Sequence, residues 1–248
     1  MNLQQALGIA MQASCDDCDL LDFAVYGPRR SGTNYLQKII LLNTLNLQFL
    51  CLDKNFNDQQ CKLVVNGFDS LGSKHSMSDK KAADKLNGSH INFVIAKSNL
   101  KEWLYSRCAY QKTFQPNFIV SEEAIYKWIA KEYLDFLDQI SKNMHNCNLI
   151  FFKHEVLTAD LLRRKLLSFD KRIILTKFPV DITTIMGPSG SITNKQYVKR
   201  VSEGDAIIDK YCESSIFSEQ LELQQQILSS IDRSPTSTEP QSASITQR

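Results

Sequence analysis

The sequence carries almost no net charge: its 248 residues include 29 Lys and Arg against 27 Asp and Glu, a formal +2. So even a balance builds no basic footprint for non-specific nucleic-acid binding, and a nucleic-acid partner is not expected. Also missing is any apolar run near the roughly 18 residues a membrane-spanning helix needs. The opening Met1-Asn2-Leu3-Gln4-Gln5 has neither the basic nor the apolar region of a signal peptide. The expectation is a cytoplasmic protein without a membrane span. No period of about 20–50 residues repeats, which excludes a solenoid. The seven cysteines, Cys15, Cys18, Cys51, Cys61, Cys108, Cys147 and Cys212, are odd in number and scattered through a chain large enough not to need disulfide staples, so reduced thiols are expected. Cys15-Asp16-Asp17-Cys18 has no second pair and no histidine at zinc spacing, and it precedes the first predicted strand; it reads as an exposed polar turn.

What is present is an ordinary globular composition, 43% hydrophobic and 23% charged, sufficient to bury a real core. The stretch 234–244 is almost wholly small and polar and cannot offset its ordering entropy. Residues 1–233 are therefore expected to form a single α/β domain and 234–248 a disordered tail. Leu3, Ala6, Leu7, Ala10 and Met11 predict a short amphipathic opening helix over 3–13. After it, short apolar runs alternate with helical patterns, as in βαβ units with a mostly parallel sheet. Strands are predicted at Asp22 to Tyr26, Leu47 to Leu52, Leu63 to Phe68, Ile91 to Ala96, Leu149 to Phe152 and Arg172 to Thr176. Helices are predicted at Asn34 to Leu45, Leu100 to Tyr110, Ser121 to Met144 and Ser218 to Ser230. In the third, Ser121 is the cap, and Ile125, Trp128, Ile129, Tyr133, Phe136, Leu137 and Ile140 make one broad core face.

Cations follow the apolar runs: Arg29 and Arg30, Lys74 and His75, Lys97, Lys153 and His154, and Lys177. Ligands of open parallel sheets bind outside the carboxyl ends of the strands, so the expected ligand is strongly anionic. A P-loop kinase would place a carboxylate there to hold Mg²⁺. Only Asp53 and Asp69 offer one, and charge neutralisation by side chains fits better.

The sharpest motif is Phe23-Ala24-Val25-Tyr26-Gly27-Pro28-Arg29-Arg30-Ser31-Gly32-Thr33-Asn34-Tyr35-Leu36, which reads as strand, tight loop and helix start. Glycines allow the backbone to approach a phosphate, and the turn amides and helix N-terminus supply partial positive charge. Gly27 and Gly32 have GxxxxG spacing, but Thr33 and Asn34 replace the Lys and Ser/Thr of an ATP-binding loop. Charge comes instead from Arg30.

Arg30-Ser31-Gly32-Thr33-Asn34 resembles the donor loop, Pro-(Lys/Arg)-Ser-Gly-Thr, of sulfotransferases that use 3′-phosphoadenylyl sulfate (PAPS). The resemblance implies a three-layer α/β/α, P-loop NTPase-like fold, PAPS as co-substrate and no metal. It implies that Arg29, Arg30, Ser31, Gly32, Thr33 and Asn34 hold the 5′-phosphosulfate. Ile91 to Ser106 is similar to the second donor motif, with Lys97 and Ser106 on the 3′-phosphate. The Lys97 to Ser106 spacing is one residue longer than usual, so Ser98 is the alternative at the basic position, and a helix-surface serine is the alternative for Ser106. Lys74-His75 looks like the segment bearing the catalytic base. Histidine is also the side chain whose ordinary pKa suits a base at neutral pH. The late loop Gly187 to Arg200 sits where the family closes a basic loop over the 3′-phosphate, making Lys195, Lys199 and Arg200 candidates beside the plain alternative of a surface loop.

The implied reaction is in-line sulfuryl transfer to a hydroxyl or amine of a small-molecule or saccharide acceptor. His75 would be the base, with Lys74 and Arg30 neutralising charge. Trp103, Tyr110, Phe114 and Phe118 offer an aromatic wall for a sugar or phenol, with core packing as the alternative. His90 and His145 are expected at the surface, and His154-Glu155 near the site without a chemical role. Lys80-Lys81 and Arg163-Arg164-Lys165 read as solvated helix faces. Two rivals remain: a Mg²⁺-dependent P-loop kinase and a non-catalytic nucleotide-binding module.

Overall fold

A computed structural model describes residues 19–49, 86, 89–144, 148–181 and 205–232. The predicted opening helix, the strand at 63–68, Lys74, His75, Asp53, Asp69, His145, the loop 187–200 with Lys195, Lys199 and Arg200, and the tail lie outside them.

Four parallel strands, β1 (Leu21–Tyr26), β2 (Leu47–Phe49), β3 (Ile91–Ala96) and β4 (Leu149–Lys153), form one sheet in the order β2-β1-β3-β4. All six residues of β3 are buried, as expected for an inner strand covered on both faces. Side-chain alternation splits the core in two. Phe23, Val25, Phe93, Ile95, Ile150 and Phe152 pack on one face against α1 (Thr33–Asn43) and α5 (Ala159–Phe169). Ala24, Tyr26, Val94, Ala96, Leu149 and Phe151 pack on the other. There they meet α2 (Leu100–Phe114), the run of α3 (Glu122–Lys127), a π-helical segment (Trp128–Leu134) and α4 (Asp135–Asn143), and then α6 (Asp205–Cys212) and α7 (Ser215–Asp232). The architecture is three-layered α/β/α. No described helix is long and apolar enough to cross a membrane.

Local signals set the helix starts. Asn99 accepts from the Glu102 amide (3.0 Å), Ser121 from Ala124 (3.2 Å) and Thr158 from Leu161 (3.1 Å), each satisfying a first-turn donor that the helix leaves open. All seven predicted core positions of the Ser121 helix are buried. Its middle turns widen to a π-helix, a departure the apolar spacing does not reveal. The periodicity also fails to mark α5 and α6. In α5 only Ala159, Leu162 and Leu166 are buried and a basic triplet interrupts them; α6 has eight residues.

The strand predicted at Arg172 to Thr176 does not form; Leu175 makes a single antiparallel bridge to Thr44. Two backbone bonds flank it, from the Leu45 amide to the Ile174 carbonyl (2.8 Å) and from the Thr176 amide to the Asn43 carbonyl (3.0 Å), and asparagine side chains add to them. Asn46 donates to the Arg172 carbonyl (2.9 Å) and accepts from the Ile174 amide (2.8 Å). Asn43 makes the same paired contacts with Val180. These bonds satisfy the backbone polar groups that a strand would otherwise pair. Lys177 is therefore not a strand-end cation, and its ammonium lies over the Phe178 ring. The basic triplet is only partly solvated: Arg163 reaches Thr176 Oγ1 (3.1 Å) and Lys165 donates to the Phe151 carbonyl (2.9 Å), leaving Arg164 exposed. His90, expected at the surface, is buried at the start of β3.

Candidate functional site

The chain leaves β1 toward β2 on one side, while β3 flanks β1 on the other, so the carboxyl ends of β1 and β3 bound the crevice where strand order reverses. Gly27 lies at that point. A Cβ there would stand 2.4 Å from the Ile95 carbonyl oxygen and 2.9 Å from the Thr33 methyl, so only glycine lets the loop press against β3. The Ser31 amide then donates to the Pro28 carbonyl (3.1 Å), closing a turn with Arg30 at φ 67°. Gly32, at φ 91°, starts α1 without any side-chain cap. The first-turn amides of such a helix point out of its N-terminus and favour an anion.

Several residues expected to bind the donor meet here. Arg30 is half-buried, and its Nε reaches Ser106 Oγ at 3.5 Å across 76 residues of sequence. Its guanidinium also lies 5.4 Å from the centre of the Tyr110 ring. Ser106 is thus a buried partner of Arg30 and not a helix-surface serine. Arg29 is exposed, and its contribution is its carbonyl, which accepts from Trp103 Nε1 at 2.7 Å. Ser31 is fully buried, and its Oγ has no hydrogen-bond partner among the described residues. Thr33 is buried with its methyl on Gly27, and Asn34 is half-buried in the first turn of α1.

Lys97 arrives differently. Its residue is buried, and its ammonium pairs with Glu102 at 2.5 Å. Its carbonyl accepts from the Tyr133 hydroxyl and, at 3.4 Å, from Gln224 Nε2. Burial pushes the Tyr133 phenol well above its ordinary value, with the Gln224 bond opposing by less. Tyr133 also packs 4.8 Å from Trp103, so one aromatic pair holds the Arg29 carbonyl after β1 and the Lys97 carbonyl after β3. Ser98, the alternative at the basic position, is occupied: its amide and hydroxyl donate to Glu155 at 2.9 and 2.8 Å, and the Asn99 amide does so at 3.2 Å. Partial desolvation pushes the Glu155 carboxyl up, but these bonds outweigh it and hold the group below the usual carboxylate value. Lys153 pairs with Asp232 at 2.5 Å.

The aromatic wall divides. Trp103 is core, and Phe118 stacks half-buried on Trp128; Tyr110 lies beside the Arg30 guanidinium, and Phe114, 4.8 Å from Tyr110, is 67% exposed. Sequence reasoning missed one neighbour of the site, Arg107, and expected the other, His154, near the site without a chemical role. Arg107 is a buried side chain that makes a bidentate pair with Glu132, both bonds 2.8 Å, and fastens α2 to the π-helical segment. His154 stands directly against the loop: a Cβ on Gly32 would lie 2.4 Å from its Cδ2 and 3.1 Å from its Nε2. The signal for Arg107 was weak, one of three basic residues in a helix of mixed polarity; that for His154 was its place after an apolar run.

Cys108 and Cys212 are free thiols, and no described cluster of three His, Cys, Asp or Glu side chains is placed to share a metal ion. The arrangement presents one guanidinium, an uncapped helix N-terminus and an unsatisfied buried hydroxyl at a single crevice, which is the equipment for holding an oxyanion. Compared with models of protein families, with curated proteins and with solved structures, the chain matches none.

Proposed function

We propose that the crevice between β1 and β3 binds PAPS on a P-loop NTPase-like fold and that the protein transfers its sulfuryl group to a hydroxyl or amine of a small-molecule or saccharide acceptor. The observation that carries this is the meeting of Arg30 and Ser106, two positions that the donor-loop resemblance assigns to one nucleotide and that lie 76 residues apart. Their contact brings the loop after β1 and the helix after β3 together at one crevice. Arg30, with its planar fork, would hold two oxygens of the phosphosulfate beside the Ser31 hydroxyl and the first-turn amides of α1.

The donor supplies an electrophilic sulfur with 3′-phosphoadenosine 5′-phosphate as its leaving group. The acceptor oxygen or nitrogen forms a bond to sulfur as the bond from sulfur to the bridging phosphate oxygen breaks. His75, the candidate base, takes the acceptor's proton, and Lys74 and Arg30 neutralise charge on the departing phosphate. Lys199 and Arg200 remain candidates for the 3′-phosphate. Lys97 remains a candidate too, with Glu102 taking one of its three N–H donors and part of its charge.

The test is a thermal-shift panel. 3′-Phosphoadenosine 5′-phosphate should raise Tm by several degrees with or without EDTA, through its preference for the folded state, and ATP with Mg²⁺ should not. Stabilisation by ATP and Mg²⁺ alone would instead favour the kinase. Stabilisation by the bisphosphate, with no sulfated product from any acceptor offered with PAPS, would favour a non-catalytic module.

A further inference from the structure

The first residue after β4, His154, begins a short 3₁₀ turn (His154–Val156) whose start lies over the N-terminus of α1. Its ring is half-buried, and neither ring nitrogen is hydrogen-bonded among the described residues. The contact with Gly32 turns Nε2 toward the helix start, where Ser31 Oγ is buried without a partner among the described residues. The His154 nitrogens are not themselves fully buried, so water can reach them in the empty protein and an oxyanion arriving at the helix start can replace that water. We propose that His154 is a ligand of the oxyanion held by the cradle, donating an imidazole N–H to one of its oxygens alongside Arg30 and the α1 amides. The inference rests on the reading of the crevice as the donor-phosphate site, and it adds a residue from β4 to the β1 and β3 loops.

The electrical surroundings give this contact a signature. Tyr35, in the first turn of α1, faces His154 with ring centres 6.0 Å apart. Lys97 from the end of β3, Glu102 from α2 and Glu155 beside it complete the charged groups acting on the ring. Burial and then Lys97 hold the imidazole below its ordinary value, with Glu155 and Glu102 opposing. The ring is therefore neutral near pH 7 in the empty protein. An arriving oxyanion reverses the balance, because its charge favours imidazolium, so binding should draw a proton onto His154. Through linkage, affinity then rises as pH falls, by up to about tenfold per pH unit for one full proton taken up.

Sulfate is the appropriate probe because its own charge does not change between pH 5.5 and about 8. The full-length chain and His154→Gln are titrated with sodium sulfate at several pH values and constant ionic strength. The wild-type affinity should tighten about threefold or more per pH unit below neutrality, and the His154→Gln affinity should change by less than about half of that. Equal pH dependence in the two proteins overturns the inference. Should His154→Gln fail to fold, the imidazole ¹⁵N shifts of the wild-type His154 decide. Movement toward imidazolium on adding sulfate supports the contact, and unchanged shifts overturn it. Titration with 3′-phosphoadenosine 5′-phosphate separates the two layers. Binding of it with a His154-independent pH profile removes only His154, whereas absence of both nucleotide and sulfate binding removes the donor site as well.

Discussion

Arg30 occupies a backbone conformation, φ 67°, that a side-chain-bearing residue enters at a cost of about 1–2 kcal/mol. The turn closed by the Ser31 amide on the Pro28 carbonyl has its positive φ at this third position, and under the proposed function the strain is kept because the guanidinium serves the donor. Function and stability should therefore part company at this residue. Arg30→Gly relieves the strain, so the Tm of the empty protein should hold or rise by about 2–4 °C. Its affinity for 3′-phosphoadenosine 5′-phosphate should nonetheless fall by about 10–100-fold, the worth of charge-assisted bonds to phosphate. Arg29→Ala, at an exposed side chain whose carbonyl alone is engaged, should change affinity less than about threefold. Calorimetric titration of the three proteins checks this, and equal losses for Arg29 and Arg30 would contradict the assignment. At this scale the sequence was informative about type and silent about place. Thr33 and Asn34 set the loop apart from the ATP-binding pattern, yet the sequence could not show that Ser106 turns inward or that His154 lies on Gly32. Both depend on how three strand ends are brought together.

At the level of elements, β1, β3 and β4 were legible because strands buried on both faces must be nearly continuous apolar runs, which Phe-Ala-Val-Tyr, Phe-Val-Ile-Ala and Leu-Ile-Phe-Phe supply. Arg172 to Thr176 has the same look and stays out of the sheet: it makes one antiparallel bridge to the residues just after α1, and the Asn46 side chain bonds its Arg172 carbonyl and Ile174 amide. Long-range amide side chains carry no periodic signal. The π-helical turn was equally invisible, although it sets the position of the site: Tyr133 on it ties Lys97 and Trp103, and Glu132 on it holds Arg107 of α2. Removing the charge of Glu132 leaves a buried guanidinium without its partner. Glu132→Gln should cost about 2 kcal/mol, the low side for breaking such a pair because Glu132 is partly exposed. That corresponds to a fall in Tm of about 4–8 °C by calorimetry for a chain of this size. An unchanged Tm would show that α2 is held by its apolar contacts alone.

Taken whole, the molecule is a sheet buried between two helical layers, and its strand ends are less uniformly cationic than the sequence suggests. Glu102 takes Lys97, Asp232 takes Lys153, and Lys177 is not at a strand end. Among the described strand-end cations, Arg30 is the one that stands at the crevice beside the start of α1. Near-neutral net charge fits this, since a local site needs no global field. The most direct measurement of the central claim is a crystal structure of the protein grown with 3′-phosphoadenosine 5′-phosphate. One phosphate should rest on the 31–34 turn within hydrogen-bond distance of Arg30, and Ser106 should contact the same nucleotide. A nucleotide bound elsewhere, or Arg30 turned away from the crevice while the turn stays empty, would contradict it.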